Sequence, residues 1–296
     1  MFFIKIFVKM KKNIYLCKKK MIKLIIHCAD IHIRAYQRLE EYAEVLNAFI
    51  DKCTDLVRNY NKNEVRILIS GDLFHSKNTI SNELIVFTSI FLRRLEQIAT
   101  VIVIAGNHDM IVSNNSRTDT LTGIFQTANF ENCRYLDMIL DYKSGCVVDD
   151  NITWAVYSTH EDYMKPYMDD TISNYPGNTV IGLYHGLIVG AKLDNGSTAD
   201  SGLDEDAFTG CDVVMAGHIH KRQVLNRGDV EIVYPGSLIQ QSFGETISEH
   251  GFAVWKIEDG KLSREFVDIE NDYSLYDMEV ESLEALHEDK EKLTNA

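Results

Sequence analysis

Five short apolar runs constrain this chain most, because each one stops at a polar motif. Lys23–Cys28 precedes Asp30 and His32, Val65–Ser70 precedes Gly71-Asp72, and Val101–Ala105 precedes Gly106-Asn107-His108-Asp109. Thr179–Tyr184 precedes His185-Gly186, and Asp212–Ala216 precedes Gly217-His218-Ile219-His220. Runs this short, rich in Val and Ile and closed by glycine, read as buried strands. Between them, Arg38–Tyr60 carries apolar residues three and four apart, as do Glu83–Ile98 and Arg117–Ala128, which predicts amphipathic helices. Strand alternating with helix points to a layered α/β domain. Ligands in such folds bind beyond the carboxyl ends of the strands, and every polar motif here sits at such an end.

After Tyr135 the texture changes to closely spaced short strands. Leu136–Asp141, Gly145–Val148 and Ile152–Tyr157 are expected as strands; Gln223–Asn226 and Val230–Tyr234 flank Arg-Gly-Asp. Phe252–Ile257 and Leu262–Asp268 flank Glu-Asp-Gly-Lys, whose Asp-Gly suits a tight hairpin. These strands predict a second, more antiparallel sheet facing the first, in a sandwich with outer helices. Residues 21–268 form the expected domain. Residues 269–296 are an acidic tail ending in a helical pattern, Leu283–Leu293.

Residues 1–20 are basic and apolar by turns. They lack the uninterrupted apolar stretch and small-residue cleavage site of a signal peptide. Lysines break every run that could approach the roughly 20 apolar residues of a membrane helix. A loosely attached N-terminal extension is expected, with no membrane association and an intracellular location, cytoplasmic or nuclear. The cysteines, Cys17, Cys28, Cys53, Cys133, Cys146 and Cys211, make no CxxC pair, which argues against a zinc knuckle or a disulfide framework. A formal net charge of −14 disfavours nucleic-acid binding through the whole surface. It leaves open a nucleic-acid substrate held by bound cations or a local basic strip.

The motifs read D-x-H, G-D, G-N-H-D, H-G and G-H-x-H in order. Two neighbouring divalent ions need a bridging carboxylate with further N and O ligands on both sides, and Asp, Asn and His are the mix expected for Mn, Fe or Zn. The adjoining glycines let the backbone turn sharply at the strand end. Taken singly, each block has a bland reading as a turn or a structural histidine. Five in order after apolar runs do not.

These blocks resemble the calcineurin-like metallophosphoesterases over most of residues 23–220. The resemblance implies a four-layer αββα sandwich, two mixed sheets with outer helices. It implies that Asp30, His32 and His220 bind one ion, that Asn107, His185 and His218 bind the other, and that Asp72 bridges them. His108 resembles the general acid that protonates the leaving oxygen, with Asp109 orienting it. Protein Ser/Thr phosphatases of this fold carry GDxxDRG and GNHE. This chain has Gly71-Asp72-Leu73-Phe74-His75 and GNHD, and is similar instead to the DNA double-strand-break repair nucleases of the SbcD and meiotic-recombination-eleven type. Tyr234-Pro235-Gly236-Ser237, Ser242-Phe243-Gly244-Glu245 and His250-Gly251-Phe252 resemble the same group. By that resemblance His75 helps place the scissile phosphate, and the activity is that of a manganese-dependent 3′-to-5′ exonuclease and endonuclease acting on DNA in repair or recombination. It also implies a homodimer through helices near 83–98 and 117–128, and an SMC-like ATPase partner of SbcC type. Tyr273–Val280 resembles the beginning of the family's small DNA-capping domain, so 269–296 reads as the start of a truncated capping domain or a tail. Arg34 and Lys77, which closely follow ligand blocks, are the candidates for phosphate or DNA contacts. Arg117, Lys192, Lys221 and Arg222 read as solvated charges. The acidic loop Asp194–Asp206 reads as a mobile connection, since it lacks EF-hand spacing. A phosphoesterase acting on small phosphodiesters or phosphomonoesters, and a catalytically silent scaffold, are the competing readings.

Overall fold

A computed structural model describes residues 21–34, 37–77, 80–114 and 117–275. The extension expected over 1–20 and the helical pattern Leu283–Leu293 lie outside the described residues. The strands, numbered along the chain, form two six-stranded sheets. In the first, β1 (Leu24–Cys28), β2 (Val65–Ser70), β3 (Thr100–Ile104) and β4 (Cys133–Tyr135) run parallel. The hairpin β11 (Gly251–Glu258) and β12 (Lys261–Asp268) adds antiparallel strands to the free edge of β1. In the second, β6 (Ile152–Tyr157), β7 (Thr179–His185), β8 (Val213–Gly217) and β10 (Val230–Tyr234) are parallel, flanked by antiparallel β5 (Gly145–Asp149) and β9 (Gln223–Arg227).

Period-two alternation explains the layers. Ile25, Leu68 and Ile102 point between the sheets and meet Trp154, Val156, Ile181, Leu183 and Met215. Leu24, Ile26, Ile67 and Ile69 point outward, against Phe49 of α1 (Leu39–Val57) and Phe91 and Leu95 of α2 (Asn82–Ile98). Each such side chain contributes about 1.5–3 kcal/mol on burial. The outer face of the second sheet carries Tyr157 and Tyr184, whose rings pack on Phe208 at 5.0 and 5.5 Å. Among the described residues that face is covered by connecting segments, with Phe208 of a 3₁₀ turn at Glu205–Phe208 and Met168, just before a short helix at Asp169–Asn174, packed on it. Across the sheets, Arg66 of β2 reaches Asp149 of β5 through two 2.7 Å hydrogen bonds, and the Trp154 indole donates to the same carboxylate at 3.2 Å.

Three expectations change. The second sheet is not the more antiparallel one; its centre is parallel, and the 251–268 hairpin joins the first sheet. The strand expected over Leu136–Asp141 is instead a helical turn, α4 (Leu136–Ile139), after the short β4. That turn brings the buried Asp137 carboxylate within 2.9 Å of the Ala105 N–H, bracing the end of β3. The helix expected from Arg117 starts later, as α3 (Thr120–Thr127), because the Asp119 carboxylate accepts the Thr122 N–H at 2.6 Å and caps it there. No helix among the described residues is long and apolar enough to cross a membrane. Cys28, Cys53, Cys133, Cys146 and Cys211 are all unpaired.

Candidate active site

The five motif loops emerge at one end of the two facing sheets. His185 ends β7 beside Gly217 at the end of β8, in register. The loop after β1 is zipped to the loop after β2: the N–H groups of Asp30, His32 and Ile33 donate to the carbonyls of Gly71, Asp72 and Leu73 at 3.2, 3.0 and 2.9 Å. The donors fall into two groups. Asp30, His32 and His220 present ligand atoms within 4.8 Å of one another, and so do Asp72, His185 and His218. The Asn107 amide oxygen joins the second group, 3.2 Å from His185 Nε2 and 2.8 Å from His218 Nδ1. Asp72 Oδ2 lies between the groups, 3.2 Å from His185 Nε2 and 3.6 Å from His32 Nε2. The structure thus brings all seven expected ligand residues together.

Local backbone shape makes this convergence. Asp30, His32 and Asp72 hold left-handed φ of 52°, 51° and 52°, and His218 has φ 99°. Each turns its side chain out of the strand direction and into the cluster. Gly71 is left-handed too (φ 90°), and a Cβ there would lie 2.6 Å from Cγ of His185. Side-chain oxygens fix the loops: the His218 N–H donates to both Asp30 oxygens at 2.9 Å, and the His108 N–H donates to Asp72 Oδ1 at 2.7 Å.

Burial sets the electrostatics. Asp30, His32, Asp72 and His185 are almost wholly inaccessible. Burial disfavours the Asp72 anion, yet His185 and His32 beside it and the His108 N–H hold its carboxyl well below the usual range. Burial pushes Asp30 up to about 6, against the pull of His185 and His220. Burial also opposes the His185 cation, but Asp72 and Asp30 prevail and push its pKa up to about 9. His32 and His218 move the other way. Burial, reinforced by neighbouring imidazoles, keeps both neutral, with His218 lowered to about 4. Two buried carboxylates, neutral imidazole lone pairs and an amide oxygen aimed at a common centre are costly in a core without positive charge. They fit divalent cations of the Mn, Fe or Zn class, and cation binding displaces any protons on His185 and His220.

His75 and His108 sit at the rim, and each has a ring nitrogen in a group with His32 within the same 4.8 Å. The His108 ring stacks near His75, centroids 5.7 Å apart, and its Nδ1 lies 2.6 Å from the His75 carbonyl oxygen. A carbonyl can only accept, so Nδ1 carries a proton and Nε2 is the atom left for chemistry. The orienting contact expected from Asp109 is not made. The Asp109 carboxylate accepts the N–H groups of Phe74 and Gly106 at 3.0 and 2.9 Å, and so ties the β2 and β3 loops together from behind. Burial and the Asp72 charge push its pKa up to about 7.

Sequence reasoning assigned no role to several supports. Glu245 accepts from His220 Nδ1 at 2.9 Å, and the Ser70 carbonyl lies 2.8 Å from His185 Nδ1. The former lies within the SFGE pattern; the latter, a main-chain atom, leaves no side-chain signal. Of the expected phosphate contacts, Arg34 is half-buried and donates to the Gln241 carbonyl and side-chain oxygen at 3.2 and 3.1 Å, whereas Lys77 is exposed. Arg222 is not a solvated charge. It pairs with Asp268 at 2.6 Å and lies over the Phe266 ring.

Seven N and O donors in two groups at the carboxyl ends of parallel strands define a site able to hold divalent metal. The chain belongs to the calcineurin-like phosphoesterase superfamily, whose domain description matches residues 9–260. That superfamily is described as one of phosphoesterases, and its members depend on metal. It is 38% identical over 264 residues to the uncharacterized protein R555 of Acanthamoeba polyphaga mimivirus, covering 86% of this chain and 19% of that protein. It is 26% identical over 252 residues to the uncharacterized metallophosphoesterase YhaO of Bacillus subtilis, covering 81% and 59% respectively. With the SbcD component of the SbcCD nuclease of Staphylococcus saprophyticus it shares 26% identity over 278 residues, covering 82% of this chain and 68% of that protein. The chain therefore spans about a fifth of the first of these relatives and under two thirds of the second. Among solved structures, a 5′-nucleotidase precursor from Thermus thermophilus matches at TM-score 0.48 and 14% identity, over 84% of this chain and 54% of that one. An archaeal phosphodiesterase matches at TM-score 0.38 and 15% identity, over 82% and 99%.

Proposed function

We propose that the protein is a manganese-dependent DNA nuclease, a 3′-to-5′ exonuclease and endonuclease serving DNA repair or recombination. The observation that carries this reading is the pairing of His75 with His108. His75 is the residue that separates the GDLFH pattern from the protein-phosphatase pattern, and its imidazole ring stacks near that of His108, centroids 5.7 Å apart. Similarity to the SbcD component of an SbcCD nuclease supports the same class.

In this reading Asp30, His32 and His220 would hold one ion and Asn107, His185 and His218 the other, with Asp72 placed to serve both. Divalent ions held there would supply Lewis acidity, acidifying a water and offsetting phosphate charge. His108, held through Nδ1, delivers a proton from Nε2 to the departing sugar oxygen. His75 and the Arg34 guanidinium face the phosphate, and Asp109 keeps the two loops at fixed spacing. Partners belong to the same proposal: DNA, a second copy of the chain through α2 and α3, and an SMC-like ATPase of SbcC type. For the dimer, Ile85, Val86 and Ile90 of α2 are exposed apolar residues.

The test is Mn²⁺ with end-labelled double-stranded DNA, beside a nitrophenyl phosphodiester and a His108→Ala control. The expected result is Mn²⁺-dependent shortening of the DNA, lost in the control. Hydrolysis of the small ester without any cutting of DNA would overturn the nuclease reading and favour a small-phosphodiester substrate.

A further inference from the structure

The two groups of donors are supported unequally from behind. His185 Nδ1 faces a neutral carbonyl, that of Ser70. His220 Nδ1 instead faces a carboxylate, Glu245, whose side chain is only 3% exposed. His220 Nε2 points the other way, 3.0 Å from His32 Nε2. An imidazole that donates one N–H to a carboxylate is held in one tautomer and one orientation, and its other nitrogen becomes the stronger donor. The Glu245 carboxylate is itself fixed. Its Oε2 accepts the Gln241 N–H at 2.8 Å, and its Oε1 also accepts the Ser242 hydroxyl at 3.2 Å.

The segment carrying Glu245 also grips the loop that carries Asp30 and His32. The Gln241 amide donates to the carbonyl of Ile31, between those residues, at 3.4 Å, and Arg34 donates back to Gln241. The Tyr42 hydroxyl donates to the His32 carbonyl at 2.6 Å and lies within 3.5 Å of the Gln241 amide. Arg38 donates to the Gln240 carbonyl at 2.8 Å. The stretch from Gln240 to Glu245 therefore meets all three donors of one group, His220 directly and Asp30 and His32 through their loop. No comparable carboxylate backs Asp72, His185 or His218 among the described residues.

We infer that Glu245 is a positioning residue that sets the metal affinity of the Asp30/His32/His220 half of the site and leaves the Asp72/His185/His218 half largely untouched. This rests on the two-ion reading of the centre and adds to it an inequality between the ions. It also gives the SFGE stretch a physical task.

The test is a calorimetric Mn²⁺ titration of the metal-stripped full chain, with Mn²⁺ electron paramagnetic resonance to count bound ions. Wild type, Glu245→Ala and the near-isosteric Glu245→Gln are compared, each checked for folding by circular dichroism. The expected result is two binding steps in wild type. In Glu245→Ala one step weakens roughly 10- to 100-fold while the other keeps its affinity, and Glu245→Gln, which can still accept from His220 without the charge, falls between. A His185→Ala protein should lose the step that Glu245→Ala spares. If wild type takes up no Mn²⁺, the two-ion reading falls and this inference with it. If wild type binds two ions and the Glu245 variants leave both steps unchanged, or weaken both alike, only the role of Glu245 is overturned.

Discussion

Gly71→Ala isolates what the G-D motif is for. Gly71 holds φ 90°, and an added Cβ would lie 2.6 Å from Cγ of His185 and 2.9 Å from the Gly106 backbone. The left-handed conformation costs an alanine about 1–2 kcal/mol. Neither obstacle is the far end of a flexible side chain: His185 is fully buried, and Gly106 presents main chain. Relief therefore needs a shift of packed atoms, for which overpacking costs about 1–3 kcal/mol. The sum is roughly 2–5 kcal/mol, a large fraction of the 5–15 kcal/mol typical of a folded domain. Guanidinium unfolding in the presence of a chelator measures it, as a lower midpoint at unchanged slope. Gly177→Ala is the control, since no atom lies within 4 Å of a Cβ there and its φ is not left-handed. If the proposed metal site is right, the Gly71→Ala protein should also lose Mn²⁺ affinity, because the displaced ring is one of the proposed ligands. A Gly71→Ala midpoint equal to that of the control would refute the close-approach argument.

The remaining expectations concern chemistry, charge and assembly. His108→Ala should slow phosphodiester cleavage roughly 10²- to 10⁴-fold with Mn²⁺ binding retained; loss of the ions along with activity would mean His108 is a ligand, not an acid. Asp149 is buried, which raises its carboxyl, but the two-pronged bond from Arg66 prevails and holds it below its usual value. A depressed folded pKa contributes stability that is present above the unfolded value near 4 and is lost as pH falls through the folded one. Wild type should therefore exceed Asp149→Asn by about 3–5 kcal/mol at neutral pH. That gap should shrink below about pH 4, and a gap unchanged in acid unfolding would contradict it. Ile90→Asp, on the exposed stripe of α2, should give a monomer by light scattering if the proposed homodimer uses that helix; an unchanged mass at equal concentration would exclude the surface.

The strand ends were legible because the signal is double: an apolar run marks a buried strand, and the glycine and ligand types after it mark where it stops. Which sheet a strand joins was not legible. Phe252–Ile257 is buried on both faces and would look the same inserted beside β1 or in the facing sheet; the choice rests on the free edge of β1, a tertiary fact. Leu136–Asp141 failed for a related reason, since an apolar run that short fits a strand or a helical turn. Its hidden cue was Asp137, a carboxylate that must be buried and paired. The α3 start could have been read from Asp119, three residues before the Thr122 N–H it caps. Asp109 shows where likeness outran geometry, because its partners are two main-chain N–H groups that no motif records.

The left-handed residues explain why the donor cluster sits where it does. Four non-glycine residues, Asp30, His32, Asp72 and His218, hold φ between 51° and 99°. At about 1–3 kcal/mol each, the set costs roughly 4–12 kcal/mol, comparable to the entire stability of a domain. Loops alone could not sustain that. What sustains it is the position of these residues just beyond strands buried on both faces, where the sheet fixes the entering direction. Carboxylates that accept main-chain N–H groups, Asp30 from His218 and Asp72 from His108, then fix the exit. The same carboxylates thus orient the loops and face the cluster; in Asp72, Oδ1 takes the His108 N–H while Oδ2 lies between the donor groups. Substituting Asp30 or Asp72 would remove a proposed ligand and release a strained turn together, and the two losses should separate by condition: the first is seen only with metal present, the second also in chelator.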